Sequence, residues 1–523
     1  MTEWPITAVV SFSVAWLVTP QVRRLARRLR LVDSPDGRRK LHRHPTPVAG
    51  GPILLLSVGA ALLLTLLRLP TTAMRTDISG YHLLGLFLAS LAICAVGITD
   101  DFGRLRGRHK LLGQLLAVAV VIAFGVRIDA IHLFGGDFSL GPMALPFTAF
   151  FLLGAINSLN LLDGMDGLLT SVALIICLSF GSLALLAGKD LTACTAFALT
   201  GALLAFLCFN FPPATIFLGD SGSMLIGLTI GVVAIDSSLK RPATLALATP
   251  AALLTLPILD TVVAILRRKL TGRSIYSTDR GHLHHCLLRR LVKPRRVLLV
   301  VCACCLATGI GAIGGEMLGS EWLVLLSSCL VVGALMATRL FGHAELRLVV
   351  QGLTAVLKSL LRRRPVGEAR EREVHLQGTV DWRKLWLRIT AAAGPLNLYR
   401  VRLGVNAPAW EEGYHARWDR GHETGEDEGG LWRALLPLSV NHCTIGELDI
   451  SGRHDGEPIE NKIANLARIL HEFEFAESLA AAARVSPPAS RHDTPPPPTL
   501  RVNGSPRSAE VMPVELVPPA GGP

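Results

Sequence analysis

Residues 157–167 read NSLNLLDGMDG. The stretch closes one apolar run near Ile156 and opens another at Leu168. Two amides, Asn157 and Asn160, and two carboxylates, Asp163 and Asp166, follow one another at steps of three. Apolar runs of this length on both sides predict two membrane-spanning helices, because an exposed backbone finds no hydrogen-bond partner in lipid. The polar stretch then lies at a membrane edge, where four oxygen-bearing side chains need a reason.

Composition agrees with a membrane protein. Half of the 523 residues are hydrophobic, 18% are charged, and mean hydropathy is +0.45. Soluble domains usually carry about 25% charged residues. Eleven apolar runs follow, near residues 5–20, 52–69, 81–99, 111–126, 143–158, 166–187, 192–209, 220–236, 243–266, 297–315 and 322–340. The expected fold is therefore an all-α polytopic membrane protein of about 11 transmembrane helices, with a small cytoplasmic α+β domain and a disordered tail. Met1 to Pro20 has neither a basic n-region nor a small-residue cleavage site, so the first run should persist as a helix.

Basic residues set the expected orientation. The first, third and ninth connections are rich in Arg and Lys, and those on the other side are sparse. The positive-inside rule then places the heavy loops and the C-terminus in the cytoplasm of a plasma (bacterial inner) membrane. The net charge of +12 reflects topology and attraction to anionic membrane lipid rather than nucleic acid. Most of the ten cysteines fall in apolar runs, where they act as small hydrophobes rather than as a disulfide framework.

Four domains are expected. Residues 1–345 form the membrane unit and 346–372 a basic linker. Residues 373–484 form the small soluble domain, and the Pro-rich 485–523 should be disordered. Within the soluble domain, TVDWRKLWLRI and LNLYRVRLGV alternate as strands do, and the stretch from Ile459 has helical period. No nucleophile–base pair, phosphate loop or metal spacing occurs there, so its expected role is to meet lipid headgroups or a cytoplasmic partner.

The polar constellations fall on one face of this topology. They are VDSPDGRRKLHRHPTPVAGG (32–51), ITDDFGRLRGRHKLLGQ (98–114), the 157–167 stretch, NFPPATIFLGDSGS (210–223), Asp260, and STDRGHLHH (277–285). An ionised Asp at a membrane edge costs several kcal/mol unless it is paired or binds metal. Capping would explain one such residue; Asp100, Asp101, Asp163, Asp166, Asp220 and Asp260 together call for more. Carboxylates with amides suit Mg²⁺, or alternatively Mn²⁺, and Mg²⁺ usually shares its shell with substrate phosphates. Lys110, Arg39, Lys40 and Arg280 can neutralise such phosphates. Gly219 and Gly222 would let backbone approach a ligand, although no Walker loop is present. His282, His284 and His285 lack the partners of a zinc site.

The five stretches among these, in this order within residues 1–340, resemble the polyprenyl-phosphate N-acetylhexosamine-1-phosphate transferases of glycosyltransferase family 4. The likeness is to the branch that uses undecaprenyl phosphate and N-acetylglucosamine. The resemblance implies transfer of N-acetylglucosamine 1-phosphate from UDP-GlcNAc to undecaprenyl phosphate, with release of UMP, in cell-envelope polysaccharide synthesis such as that of lipopolysaccharide. By the same resemblance, Asp100, Asp101 and Lys110 are catalytic, and Asn160 and Asp220 hold Mg²⁺. Asn157, Asp163, Asp166, Arg280, His282, His284 and His285 would bind substrate. The short loop after Asp101 and the DRGHLHH ending favour an N-acetylglucosamine donor over the phospho-MurNAc-pentapeptide of the peptidoglycan branch. A homodimer stays open. A secondary transporter would also have about eleven spans, but its carboxylates would gather near the midplane, often in inverted repeats. A receptor or scaffold would leave the five motifs unused.

Overall fold

The computed structural model describes residues 3–33, 45–68, 80–103, 105–237, 244–270, 281–342, 370–377, 380–407, 412–420, 431–440, 443–453, 456 and 458–473. Residues 346–369 of the expected linker and the Pro-rich 485–523 lie outside them, and the last three linker residues belong to a strand. The chain divides into two units: residues 1–267 with 281–343, and 344–523 with 268–280.

The first unit is helical. It comprises α1 (Glu3–Arg28), α2 (Gly50–Arg68), α3 (Gly80–Asp101), α4 (Gly107–Ala123), α5 (Ala144–Leu162), α6 (Leu168–Leu186), α7 (Asp190–Asn210) and α8 (Gly219–Asp236). Then follow α9 (Ala248–Leu253), α10 (Thr255–Leu270), α11 (Leu283–Leu291), α12 (Pro294–Met317) and α13 (Glu321–Ala337). Each of the eleven apolar runs is mostly helix, the ninth beginning with a short strand at Thr244–Ala246, but among the described residues eight helices are long and apolar enough to cross a membrane. Two of the others, α4 and α13, are 17 residues long. The ninth run is broken at Leu254. Pro257 has no N–H to donate to the Leu253 carbonyl, and its ring crowds that position, so a continuous helix cannot form there.

The centre of this unit is α6, α7 and α8, with 78–83% of their spanning windows buried. Around them pack α1, α2, α3, α5 and α12. Large apolar side chains that face outward, such as Leu63, Leu116, Phe150 and Ile310, are exposed as lipid contacts would be. Connections at one end carry the polar motifs. At the other end, β3 (Ala130–Leu133) and β4 (Gly136–Ser139) form a hairpin with β5 (Thr244–Ala246) alongside.

At the motif end, β1 (Val32–Asp33) pairs with β2 (Thr46–Pro47). Backbone bonds then join this segment to the loop before α8: Phe217 N–H donates to Pro47 O (2.8 Å) and Gly50 N–H to Leu218 O (3.0 Å). Residues 170 positions apart in sequence are thereby held as one layer.

The second unit is an antiparallel sheet in the order β6-β8-β7-β10-β9. Its elements are β6 (Arg370–Gln377), α14 (Trp382–Ala393), β7 (Leu398–Ala407), β8 (Glu412–Asp419), β9 (Leu431–Val440), β10 (Cys443–Arg453) and α15 (Ile459–Glu472). The stretch TVDWRKLWLRI, expected as a strand, is mostly helix α14. Trp382, Leu385, Trp386 and Ile389 are buried on one side of it. That is a spacing of three and four, which a helix satisfies and a strand does not. LNLYRVRLGV does form a strand, β7, and the Ile459 stretch does form a helix, α15.

Candidate active site

The C-terminal end of α3 meets the N-terminal end of α8 through Asp101. Its carboxylate accepts the backbone N–H groups of Asp220 (2.8 Å) and Ser221 (3.3 Å). These donors begin a helix and have no partner within it, so a carboxylate satisfies both bonding and the helix dipole. Gly219 has φ +67°. A side chain there would run into Val48 and lie 2.8 Å from the Asp101 oxygens. This glycine thus admits Asp101, and it also lines the cavity beside it.

Asp100, the neighbouring residue, points elsewhere. Lys110, in the first turn of α4, sits 3.0 Å from Asp100 and 2.9 Å from Asp220. On the other side of Asp220, Asn160 from the last turn of α5 donates to its carboxylate (2.6 Å) and to Ser223 Oγ (2.7 Å). Four helices therefore converge on Asp220. The Asn160 oxygen and nitrogen are assigned by these bonds, so the amide can equally turn its oxygen toward a cation.

Asp163 and Asp166 follow α5. Asp166 accepts Ala214 N–H (2.9 Å) and so holds the loop between α7 and α8. Asp163 is half-buried, and its carboxyl is held well above the usual carboxylate range. Burial is the larger cause, followed by the charges of Asp220, Asp101 and Asp166. Asn157 lies one turn below Asn160. It exchanges hydrogen bonds with Gln114 of α4 (3.0 and 3.2 Å), which joins two helices.

The histidine segment comes in from α11. Asp260 of α10 is fully buried, accepts Leu283 N–H (2.7 Å) and contacts His282 Nδ1 (3.1 Å). This pair fixes the start of α11. His284, 4% exposed, packs its ring on the Cα of Gly164, where any side chain would collide with it. Burial and the neighbouring His285 and His282 push its pKa down to about 3, so it is neutral at physiological pH. Its Nδ1 is buried with no hydrogen-bond partner among the described residues. Arg280, Arg39 and Lys40 lie outside those residues.

These elements surround a cavity of about 420 Å³, within the usual range for small-molecule sites. Asp101, Asn160, Asp163, Asp166, Asp220, His284 and His285 line it, together with residues that sequence reasoning did not assign: Asp33, Val48, Asn210 and Phe217. Lys110 and Asp100 sit behind Asp220, and Asn157 and His282 are not among the lining. Asn210 accepts Gly167 N–H (3.1 Å) and the Thr170 hydroxyl (2.7 Å) and donates to Ile216 O (2.9 Å). The available signal was an amide ending an apolar helix directly before Phe-Pro-Pro.

Among the described residues, no group of three or more His, Cys, Asp or Glu side chains is arranged to hold a metal ion. The donor chemistry nevertheless fits a hard cation that takes few protein ligands. An amide and a carboxylate sit side by side, and the surrounding carboxylates outnumber the ammonium of Lys110. That excess adds to burial in raising Asp163.

A multi-pass membrane enzyme with an oxygen-rich, phosphate-compatible site at one end of its bundle is the class that fold and cavity define. The sequence profile of glycosyl transferase family 4 matches residues 83–238. The "Probable undecaprenyl-phosphate N-acetylglucosaminyl 1-phosphate transferase" of Bacillus subtilis (strain 168) is 30% identical over 298 residues, covering 57% of this chain and 80% of that protein. The "Decaprenyl-phosphate N-acetylglucosaminephosphotransferase" of Mycolicibacterium smegmatis is 34% identical over 325 residues, covering 57% and 79%. The "Phospho-N-acetylmuramoyl-pentapeptide-transferase" of Shouchella clausii is 31% identical over 310 residues, covering 54% and 90%. The chain belongs to glycosyl transferase family 4. It is an enzyme of the UDP-N-acetylhexosamine:polyprenyl-phosphate sugar-1-phosphate transferase family, whose members are generally metal-dependent.

Proposed function

We propose that this enzyme transfers N-acetylglucosamine 1-phosphate from UDP-GlcNAc to undecaprenyl phosphate and releases UMP. The observation that carries the chemistry is the convergence of Lys110, Asp100, Asn160 and Asp220 within hydrogen-bonding distance beside the cavity. The sugar choice is supported by the printed names of the Bacillus and Mycolicibacterium relatives. The basic connections support a site on the cytoplasmic side, where UDP-sugars are made.

An oxygen of the lipid phosphate attacks the β-phosphorus of the donor, and the bond to UMP breaks. The lipid phosphate is already mostly anionic at pH 7, so a general base contributes little beyond taking a residual proton, which Asp100 does. The Lys110 ammonium neutralises charge that develops on the departing phosphate. Asn160 and Asp220 would hold Mg²⁺, which would offset the charge of the donor diphosphate. Asp101 fixes the α8 terminus and thereby the position of Asp220. Asp163 and Asp166 shape the nucleotide side, Asn157 braces α5 through Gln114, and His284 offers a neutral imidazole to the donor. His282 and His285 complete that wall, and Arg280 adds a cation for the diphosphate.

The match to a phospho-N-acetylmuramoyl-pentapeptide-transferase makes that donor the alternative. Purified enzyme in undecaprenyl-phosphate-containing liposomes, offered UDP-GlcNAc, UDP-GalNAc and UDP-MurNAc-pentapeptide in turn, decides between them. UMP release with a lipid-linked GlcNAc diphosphate product is expected. Turnover confined to the pentapeptide donor refutes the sugar assignment.

A further inference from the structure

Beneath the site lies a second layer of polar contacts. Gln114 of α4 is 1% exposed, and its amide exchanges hydrogen bonds with Asn157 of α5 (3.0 and 3.2 Å). Its nitrogen also donates to Met224 Sδ of α8 (3.2 Å). These three residues repeat the site above them. Gln114 follows Lys110 by four positions, Met224 follows Asp220 by four, and Asn157 precedes Asn160 by three. α4 and α8 begin at the site and α5 ends at it, so each step runs one turn deeper on the same helix face. One turn is about 5 Å. The helices are not all held alike. A side chain on Gly97 of α3 would strike the Ser221 backbone of α8, and one on Gly227 of α8 would strike the Ile156 backbone of α5. Those three helices are therefore fixed by direct backbone approach. α4 packs on α3 and α5 and turns Leu111, Leu112, Leu115 and Leu116 outward. Its buried residues are Gln114, Ala117, Val118 and Val121, of which Gln114 alone is polar. A leucine there would bury apolar surface without direction. Two directional amide bonds fix register, as a single buried polar residue does between packed helices.

We propose that Gln114 is a positioning residue, which sets the depth of Lys110 against Asp220 through the layer it forms with Asn157 and Met224. Lys110 lies 3.0 Å from Asp100 and 2.9 Å from Asp220. A slip of α4 by one residue moves Lys110 about 1.5 Å along the helix axis and about 100° around it, which breaks that geometry. Lys110 meets the charge of the departing phosphate in the transition state, so losing its position costs turnover rather than donor binding. Its ammonium also competes with a cation for the Asp220 carboxylate. Displacing it leaves Asp220 freer to bind a divalent ion. The turnover consequence rests on the phosphoryl transfer proposed above, whereas the cation consequence needs no donor at all.

The test uses the full chain in detergent. It compares Gln114→Leu, Gln114→Asn and the exchanged pair Gln114→Asn with Asn157→Gln, with Lys110→Met as reference. Leucine leaves Asn157 its bond to the Leu153 carbonyl (2.9 Å), so the fold should hold. Turnover is read with whichever UDP-sugar the wild type uses, and Mn²⁺ binding by electron paramagnetic resonance with no donor present. A different sugar would thus alter the function assigned above without touching these comparisons. Gln114→Leu should lower kcat about tenfold or more, part of the roughly 10²–10³ that losing such a group costs, with donor KM within about twofold of the wild type. Mn²⁺ should bind at least about threefold more tightly, the direction Lys110→Met gives, because an ammonium no longer pairs with Asp220. Gln114→Asn should behave like the leucine variant, since its side chain is one methylene shorter. The exchanged pair restores the span and should recover both kcat and the wild-type Mn²⁺ affinity. Wild-type kcat or wild-type Mn²⁺ affinity in Gln114→Leu would overturn the proposal. So would an exchanged pair that melts with the wild type yet recovers neither. A lowered melting temperature and raised KM with unchanged Mn²⁺ affinity would also overturn it, and would leave Gln114 a packing residue.

Discussion

Asp101→Asn and Asp100→Asn remove the same charge from adjacent residues, yet the structure assigns them different costs. Asp101 satisfies two backbone donors at the start of α8, at 2.8 and 3.3 Å. An asparagine keeps one acceptor oxygen and turns an NH₂ toward the other N–H. Leaving that donor unsatisfied costs ~1–3 kcal/mol. Losing the negative charge at a helix N-terminus costs about 0.3–2 kcal/mol more. The sum, about 1–5 kcal/mol, should lower the melting temperature in detergent by roughly 2–7 °C, given an unfolding entropy of ~2.1 cal/mol/K per residue over a unit of this size. Asp100 instead faces Lys110, which keeps Asp220 at 2.9 Å when Asp100 is neutralised. Asp100→Asn should therefore change stability by no more than about 1 kcal/mol. Its turnover should nevertheless fall about 10²-fold or more, the scale of a positioned acid–base group. The assay is paired: fluorescence-detected thermal unfolding of each purified variant, and UMP release at saturating substrates. Asp101→Asn melting with the wild type would refute the capping argument. Near-normal turnover in both variants would remove the pair from the chemistry altogether.

Asp220→Ala and Asn160→Ala should each abolish most activity while detergent-stable protein is still recovered, and EDTA should silence the wild type; full activity in EDTA ends the metal assignment. His284 carries a pH signature. Its folded pKa of about 3 lies below the ordinary 6.5, so the unfolded chain takes up a proton first as pH falls. The stability it contributes is complete above pH 6.5 and is lost as pH falls toward 3, worth about 2 kcal/mol between pH 7 and pH 5. His284→Gln should flatten melting temperature against pH in that window, and an unchanged slope would contradict it. Truncation after Arg364 should leave UMP release in detergent within a few-fold of the full chain. A stable, inserted but inactive core would make the second unit part of the working enzyme.

Much of this protein is fixed by chemistry that is local in sequence. Lipid admits only self-satisfied backbone, so each long apolar run reads directly as helix. The even alternation of runs brings every polar motif back to the same end of the bundle, which is why Asp100, Lys110, Asn160, Asp163 and Asp220 were legible as one site before any coordinates. The break at Leu254 was readable in principle from Pro257. The α14 helix was readable from the spacing of Trp382, Leu385, Trp386 and Ile389. In both places an apolar run outweighed its period. What sequence could not divide was labour among like residues. Asp100 and Asp101 are chemically identical and adjacent, and only the placement of α8 turns one into a helix cap and leaves the other beside Lys110. Asn157 and Asn160 differ by one helical turn, and that turn decides whether an amide meets Gln114 or Asp220. Asp260 and Asn210 hold loops that arrive from distant parts of the chain. Such roles depend on directions between elements, set by how whole helices pack, and no local pattern of residues encodes them.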